Sequence, residues 1–361
     1  MRRKNSLFLA VAASIFFSAA ICQAQFKSGA QSTALTLPRI SQGATVTQRV
    51  GLTDITLHYH RPLVNGRKVW GGTVPYGAVW RAGANENTTI EFSDPVTIEG
   101  KPLAKGVYGL HMIPAENEWT VIFSNNSTSW GSFSYDQKED ALRVTVKPQA
   151  SDFREALAYD FDNVTPDSTV VALHWEKLAV PFKVGVNVND AVTASIGKQL
   201  RNTGGFTWDG WDDASRYLLE NKGNLDDATK YVDRSIQIEE RFENLLTKSQ
   251  ILNAQGKKSE ATALEAKALE KANTFQTHVF ARQLLQEGDK TRAYDVFRTN
   301  AQKHPTEWVT HVGLARMYSS QGDFSKASGE MKTALGSAPE PQKAPLQALQ
   351  KRLDAKDDIN K

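Results

Sequence analysis

Four alanines recur through the second half of this chain at nearly constant intervals: Ala228, Ala261, Ala293 and Ala327, 33, 32 and 34 residues apart. Each sits in the same surroundings. Five residues earlier stands a glycine (Gly223, Gly256, Gly288, Gly322), and nine earlier a large side chain (Leu219, Leu252, Leu284, Tyr318). Four residues later come Val232, Glu265, Phe297 and Met331. Twelve later the last two copies carry Pro305 and Pro339, where the first two have Glu240 and Asn273. From about Asn189 onward the composition shifts to Ala, Leu, Glu, Lys and Gln with helical spacing. A period of this length in such a stretch specifies stacked helical hairpins: alanine where two helices touch, glycine in the turn between them, proline ending the second helix. One hairpin cannot bury its apolar face alone, so the hairpins must pack on each other in series.

This register resembles the tetratricopeptide repeat, a resemblance that implies a solenoid and a role in protein interaction. The segment "APLQALQKRL" (344–353) reads as the polar-faced capping helix that such a stack needs. In the register of that repeat, Tyr217, Gln250, Arg282 and Arg316 hold equivalent positions facing the groove formed by the first helix of each hairpin. A column with two arginines can clamp a carboxylate or an acidic peptide. A solvated cationic face is the competing account, because isolated surface charges contribute little.

The first half is different. Between about Thr45 and Val184, short alternating segments such as "TDITLHYH" (53–60), "TTIEF" (88–92), "EWTVIF" (118–123), "LRVTV" (142–146) and "STVVALHW" (168–175) are punctuated by turn residues. Strands this short and this regularly spaced predict an antiparallel sandwich or barrel, with Trp119, Phe123, Trp175 and Phe182 in its core. The fold class expected is therefore α+β as two domains, an N-terminal β-sandwich or barrel-like domain and a C-terminal helical solenoid. Boundaries fall at 1–24 for a signal peptide, 25–37 for a linker, 38–184 for the β domain, 189–340 for the repeats and 341–361 for the capping helix and tail.

The motifs "GRKVWGG", "VPYGAVWRAGANE", "TTIEF", "KGVYGLHMIP" and "EWTVIF" give the β half a further resemblance, to the bacterial family known as domain of unknown function 2911. The resemblance covers roughly residues 38–180. It implies an exported protein, some members carrying helical repeats behind the β domain, and it transfers no reaction and no catalytic residue.

Arg2, Arg3 and Lys4 precede an apolar run from Leu7 to Ile21 that ends in Cys22-Gln23-Ala24. That pattern predicts a secretory signal peptide cut after Ala24, with lipidation at Cys22 as the rival, disfavoured by the bulk of Ile21. The apolar run is short for a membrane span. Cleavage brings the formal charge from +3 to neutral and removes the only cysteine. The mature chain then has no basic field for nucleic acid, and it suits an oxidising periplasmic or extracellular compartment. No membrane span is expected after cleavage.

The residues that carry chemistry form no standard signature: there is no G-x-S-x-G elbow, H-E-x-x-H helix or phosphate loop. His58 and His60, two apart on a predicted strand, share a face and are the candidate ligands of a divalent transition metal; otherwise no cofactor is predicted. As a binding site the strongest stretch is "WRAGANE" (80–86) with Tyr76 before it. Tyr76, Trp80, Arg81, Asn85 and Glu86 combine aromatic faces with planar polar groups, as small-molecule or glycan sites do. The structural alternative is that Arg81 and Glu86 pair internally, Asn85 satisfies a turn and Trp80 caps the core.

Three functions follow: an exported binding or assembly protein that holds a protein or peptide partner; a hydrolase or metal-assisted enzyme using Arg81, Asn85, Glu86 and His60; and a carbohydrate-binding module using Trp70, Tyr76 and Trp80. The first is favoured, because interaction is the general role of the solenoid.

Overall fold

A computed structural model describes residues 38–361; the expected signal peptide, Cys22 and the linker lie outside the described residues. The chain begins as β structure and ends as helices. Ten strands come first: β1 (Gln42–Val50), β2 (Thr53–Arg61), β3 (Thr89–Phe92), β4 (Val96–Ile98), β5 (Lys101–Leu103), β6 (Gly106–Ile113), β7 (Trp119–Ser124), β8 (Asp140–Val146), β9 (Gln149–Asp162) and β10 (Ser168–Val186). They form a six-stranded sheet in the order β1-β2-β3-β6-β7-β8 and a four-stranded sheet in the order β5-β4-β10-β9, with every pairing antiparallel.

Alternation in the sequence decides which face is buried. Along β2, Thr53, Ile55, Leu57 and Tyr59 point inward, while Asp54, Thr56, His58 and His60 point away from the core. The inward residues of both sheets meet in one continuous cluster, which makes the domain a sandwich. Trp119, Phe123, Trp175 and Phe182 all lie within it, none more than 1% exposed. Trp70 packs edge-on against Trp80, Trp119 and Trp175, and Trp80 stacks on Trp175 at 6.0 Å between centroids.

Ten helices follow among the described residues: α1 (Val188–Gln199), α2 (Trp208–Glu220), α3 (Leu225–Ile238), α4 (Phe242–Ala254), α5 (Lys258–Lys271), α6 (Thr274–Gln286), α7 (Lys290–Lys303), α8 (Trp308–Ser320), α9 (Phe324–Ser337) and α10 (Glu340–Asp354). The repeat register maps directly onto them. α2/α3, α4/α5, α6/α7 and α8/α9 are the four hairpins, and the four registering alanines are 0–5% exposed where the helices of each hairpin touch. Gly256, Gly288 and Gly322 take left-handed backbone at the turns, with φ of +80°, +89° and +79°. In the first hairpin that conformation falls instead on Lys222, at φ 54°. Side-chain oxygens of Asn224, Asp289 and Asp323 cap the N-termini of α3, α7 and α9. α10 covers α9 through Leu346 and Leu353.

Candidate functional site

The 80–86 stretch is a tightly wound connection between β2 and β3. Trp80 exchanges both backbone hydrogen bonds with Met112 of β6 at 2.8 Å, and its indole Nε1 donates to the Gly83 carbonyl at 3.1 Å. Ala82 and Asn85 adopt left-handed backbone, at φ 51° and 58°. For Ala82 this is an uncommon conformation, fixed where its carbonyl accepts the Tyr159 hydroxyl at 2.9 Å. A β-carbon at Gly83 would lie 2.5 Å from Thr88 Oγ1, so only glycine fits there.

Arg81 and Glu86 do not pair. Glu86 receives Arg39 Nη1 on one oxygen, and its other oxygen lies 3.3 Å from His60 Nε2. Burial acts to raise the Glu86 carboxyl, but its own backbone N–H, Arg39 and His60 outweigh that and hold it below the usual carboxylate range. Arg81 donates from Nη1 to the Asn85 carbonyl at 2.6 Å, lies over the Phe133 ring at 5.8 Å, and has no carboxylate within ion-pair distance among the described residues. Burial lowers its pKa. Asn85 donates from its side-chain amide to the Ser41 carbonyl at 3.1 Å, which ties the stretch to a segment 44 residues earlier. Tyr76 is 45% exposed and apart from this network. Trp70 and Trp80, both half-buried, pack in the tryptophan cluster.

His58 and His60 share the outer face of β2, as their spacing requires, but each is engaged separately. His58 Nδ1 lies 2.8 Å from Thr45 Oγ1, and His60 faces Glu86. Among the described residues no group of three or more His, Cys, Asp or Glu is gathered in a way that could hold a metal ion.

A second polar cluster was not legible in the sequence. On the same sheet face, His111 of β6 is 2% exposed, with Nδ1 2.8 Å from Ser132 Oγ and its ring 5.5 Å from that of Tyr135. Burial pushes this imidazole down to about 4; Asp140 opposes the shift and Arg81 adds to it. The Tyr135 hydroxyl donates to both oxygens of Asp140 at 2.8 and 2.9 Å. Asn87, nearby and buried, donates to the Asn126 carbonyl at 3.1 Å while its Oδ1 has no partner. The only sequence signal was His111 itself; its partners arrive from the segment after β7, which no motif marked. The groups largely satisfy one another, with His111 held neutral at physiological pH. A surface cavity of about 800 Å³ lies elsewhere, where β4 and β10 meet the start of α1.

The four positions expected to face the groove turn out to be unequal. Tyr217 of α2 donates its hydroxyl to Asn189 Oδ1 at 2.9 Å, and Gln250 of α4 is half-buried. Arg316 of α8 is half-buried and bonded to the segment after α10, its Nη1 donating to the Ile359 carbonyl at 2.9 Å. Burial, with Arg282 and Arg352 acting in the same direction, pushes Arg316 down to about 10. Arg282 of α6 is exposed and makes no ion pair among the described residues. Beside it on the same helix, Phe275 and Val279 are 59% and 45% exposed. Positions 275, 279 and 282 lie on one helical face, a cationic and apolar stripe that the hairpin's own core leaves uncovered. Inside it, His278 is 5% exposed and pushed down to about 3 by burial, then by Arg316 and Arg282.

Residues 41–184 match the family described as protein of unknown function (DUF2911), the resemblance that the motifs of the β half carry. No curated protein matches the chain. Among solved structures, it is similar to YrrB, described as a TPR protein with an unusual peptide-binding site, at 15% identity and a TM-score of 0.28, covering 46% of this chain and 84% of that one. It is also similar to a chain of the APC/C hetero-tetramer Cut9–Hcn1, at 13% identity and a TM-score of 0.29, covering 47% of this chain and 33% of that one.

Proposed function

We propose that this is an exported binding or assembly protein whose helical repeats hold a protein or peptide partner along the groove of their first helices. The observation that carries the reading is the α6 face, where exposed Arg282 stands without an ion pair among the described residues, beside exposed Phe275 and Val279. A cation flanked by apolar side chains suits a segment with an acidic and an apolar residue, the acid supplying register and the apolar group contact area. In the β domain the polar groups close on each other, so its role in this reading is that of a scaffold joined to the repeats. Export rests on the basic and apolar pattern of residues 1–24.

The test is site-specific photo-crosslinking from position 279 in the source cell, with products identified by mass spectrometry. One dominant adduct, reduced at least fivefold by Arg282→Glu, is the expected result. A diffuse set of adducts indifferent to Arg282→Glu defeats the reading. Sequencing the N-terminus of the mature protein tests export separately: it is expected to begin at Gln25.

A further inference from the structure

The segment after α10 turns back onto α8 and is held there as an extended ligand would be. Arg316 Nη1 donates to the Ile359 carbonyl at 2.9 Å, and Asn360 Nδ2 donates to the Arg316 carbonyl at 2.9 Å. Ser319 Oγ accepts the Ile359 N–H at 3.1 Å and donates to Asp358 Oδ1 at 3.0 Å. Arg352 Nη2 donates to the Asp358 carbonyl at 2.8 Å. Both backbone groups of Ile359 are therefore read by side chains, while its own side chain, 3% exposed, packs in the cluster of Val312, Ala315 and Leu353. Covering α9 does not require this, since α10 does so already.

The fit is incomplete. Arg316 Nε and His278 Nδ1 are buried without a hydrogen-bond partner. One hairpin earlier, Arg282 continues the cationic wall beyond the point the segment reaches. Unpaired buried polar atoms cost free energy that a better-matched occupant would recover.

We infer that α8 is a recognition site for an extended segment with an acidic residue, an aliphatic residue and a carboxamide in succession, and that Asp358–Ile359–Asn360 is its resident occupant, displaced by a partner segment of the same chemistry. This rests on the reading of the groove as the partner site. The segment keeps the wall covered while no partner is bound, and a partner competes with it at a high effective concentration.

A fluorescein-labelled peptide of residues 354–361 (DAKDDINK) is titrated by anisotropy into the full chain and into a chain ending at Ala355. The shortened chain is expected to bind at least tenfold more tightly, and to lose binding with Arg316→Gln in the chain or Ile359→Asp in the peptide. Equal affinity for both chains, or no binding by a shortened chain that keeps its helical circular dichroism, overturns the inference. Should the shortened chain unfold, the full chain carrying Ile359→Asp is titrated instead, with the same criteria. If α8 and α9 lose hydrogen-exchange protection there too, the segment is a structural cap and the inference is wrong. Crosslinking that depends on Arg282 alongside a failed peptide titration would leave the groove reading standing and remove only this one; peptide binding alongside crosslinking indifferent to Arg282→Glu would remove the partner groove and, with it, displacement of the segment by a partner.

Discussion

The two halves of this molecule bury their apolar residues in opposite ways. In the β-sandwich a single cluster runs from Val50 to Val186 and takes residues from both sheets. The helical half divides its buried residues among four smaller clusters, each spanning neighbouring helices only. A shared core makes every strand depend on every other, whereas a serial stack couples only neighbours. The same contrast governs the polar groups. Arg39, His60, Glu86, His111 and Asp140 are drawn into internal partnerships by the sandwich, while a stack of open-ended hairpins leaves a face, with Arg282 on it, outside any internal pairing among the described residues.

The contrast breaks most visibly if a core residue of the sandwich proves locally tolerated. Trp175 is 1% exposed and touches both Trp70 and Trp80. Trp175→Ala is expected to cost about 3–5 kcal/mol and to lower protection across all ten strands while sparing α4 to α9. Hydrogen exchange read by mass spectrometry checks this, and a loss confined to β10 and its neighbours would mean the sandwich is not one cooperative unit.

Acid offers a second probe, because each half carries one buried neutral histidine. His111 titrates at about 4 and His278 at about 3, both below the 6.5 of an unfolded chain. The native state thus binds fewer protons than the unfolded state between these values. Stability is whole above pH 6.5 and falls as the pH drops toward about 4 for the sandwich and about 3 for the repeats. At pH 5 each histidine accounts for about 2 kcal/mol. Denaturant titrations at pH 7 and pH 5 should show His278→Asn flattening the loss in the helical transition alone, and His111→Asn doing so in the β transition alone.

A smaller effect tests the independence of the hairpin turns. Gly288 has φ +89° and open space where a β-carbon would sit, so Gly288→Ala pays only the left-handed backbone penalty, about 1 kcal/mol. Increased exchange should stay within α6 and α7. Spread to α2 or α9 would show the stack to be more cooperative than its separate clusters indicate.

How much of this was legible in the sequence follows from the same contrast. Register in a serial stack is a local property, so the four alanines located all four hairpins, and composition alone separated helices from strands. β9 escaped notice: "QASDFREALAYDFD" is rich in helix formers and mostly solvent-exposed along its first half, and its strand conformation comes from pairing with β10. The partners of Glu86 were equally out of reach, since Arg39 lies 47 residues away and meets it only because β1 pairs with β2. Register put Arg316 on the face expected to line the groove, and the segment that bonds to it returns from 43 residues downstream. No periodicity carries that information.

The smallest expected effect on stability is the one that bears most on function. Arg282 is exposed and makes no ion pair among the described residues, and its charge repels the like charge of Arg316. Arg282→Gln removes that repulsion and breaks no internal bond, so the unfolding free energy should stay within about 0.5 kcal/mol of the parent. A loss above about 1 kcal/mol would show that Arg282 serves the fold through a contact made in solution, which would return the α6 face to architecture. If stability holds while crosslinking from position 279 falls, the arginine is there for something outside the chain. That outcome would tie function to the half of the molecule whose packing leaves charge unpaired.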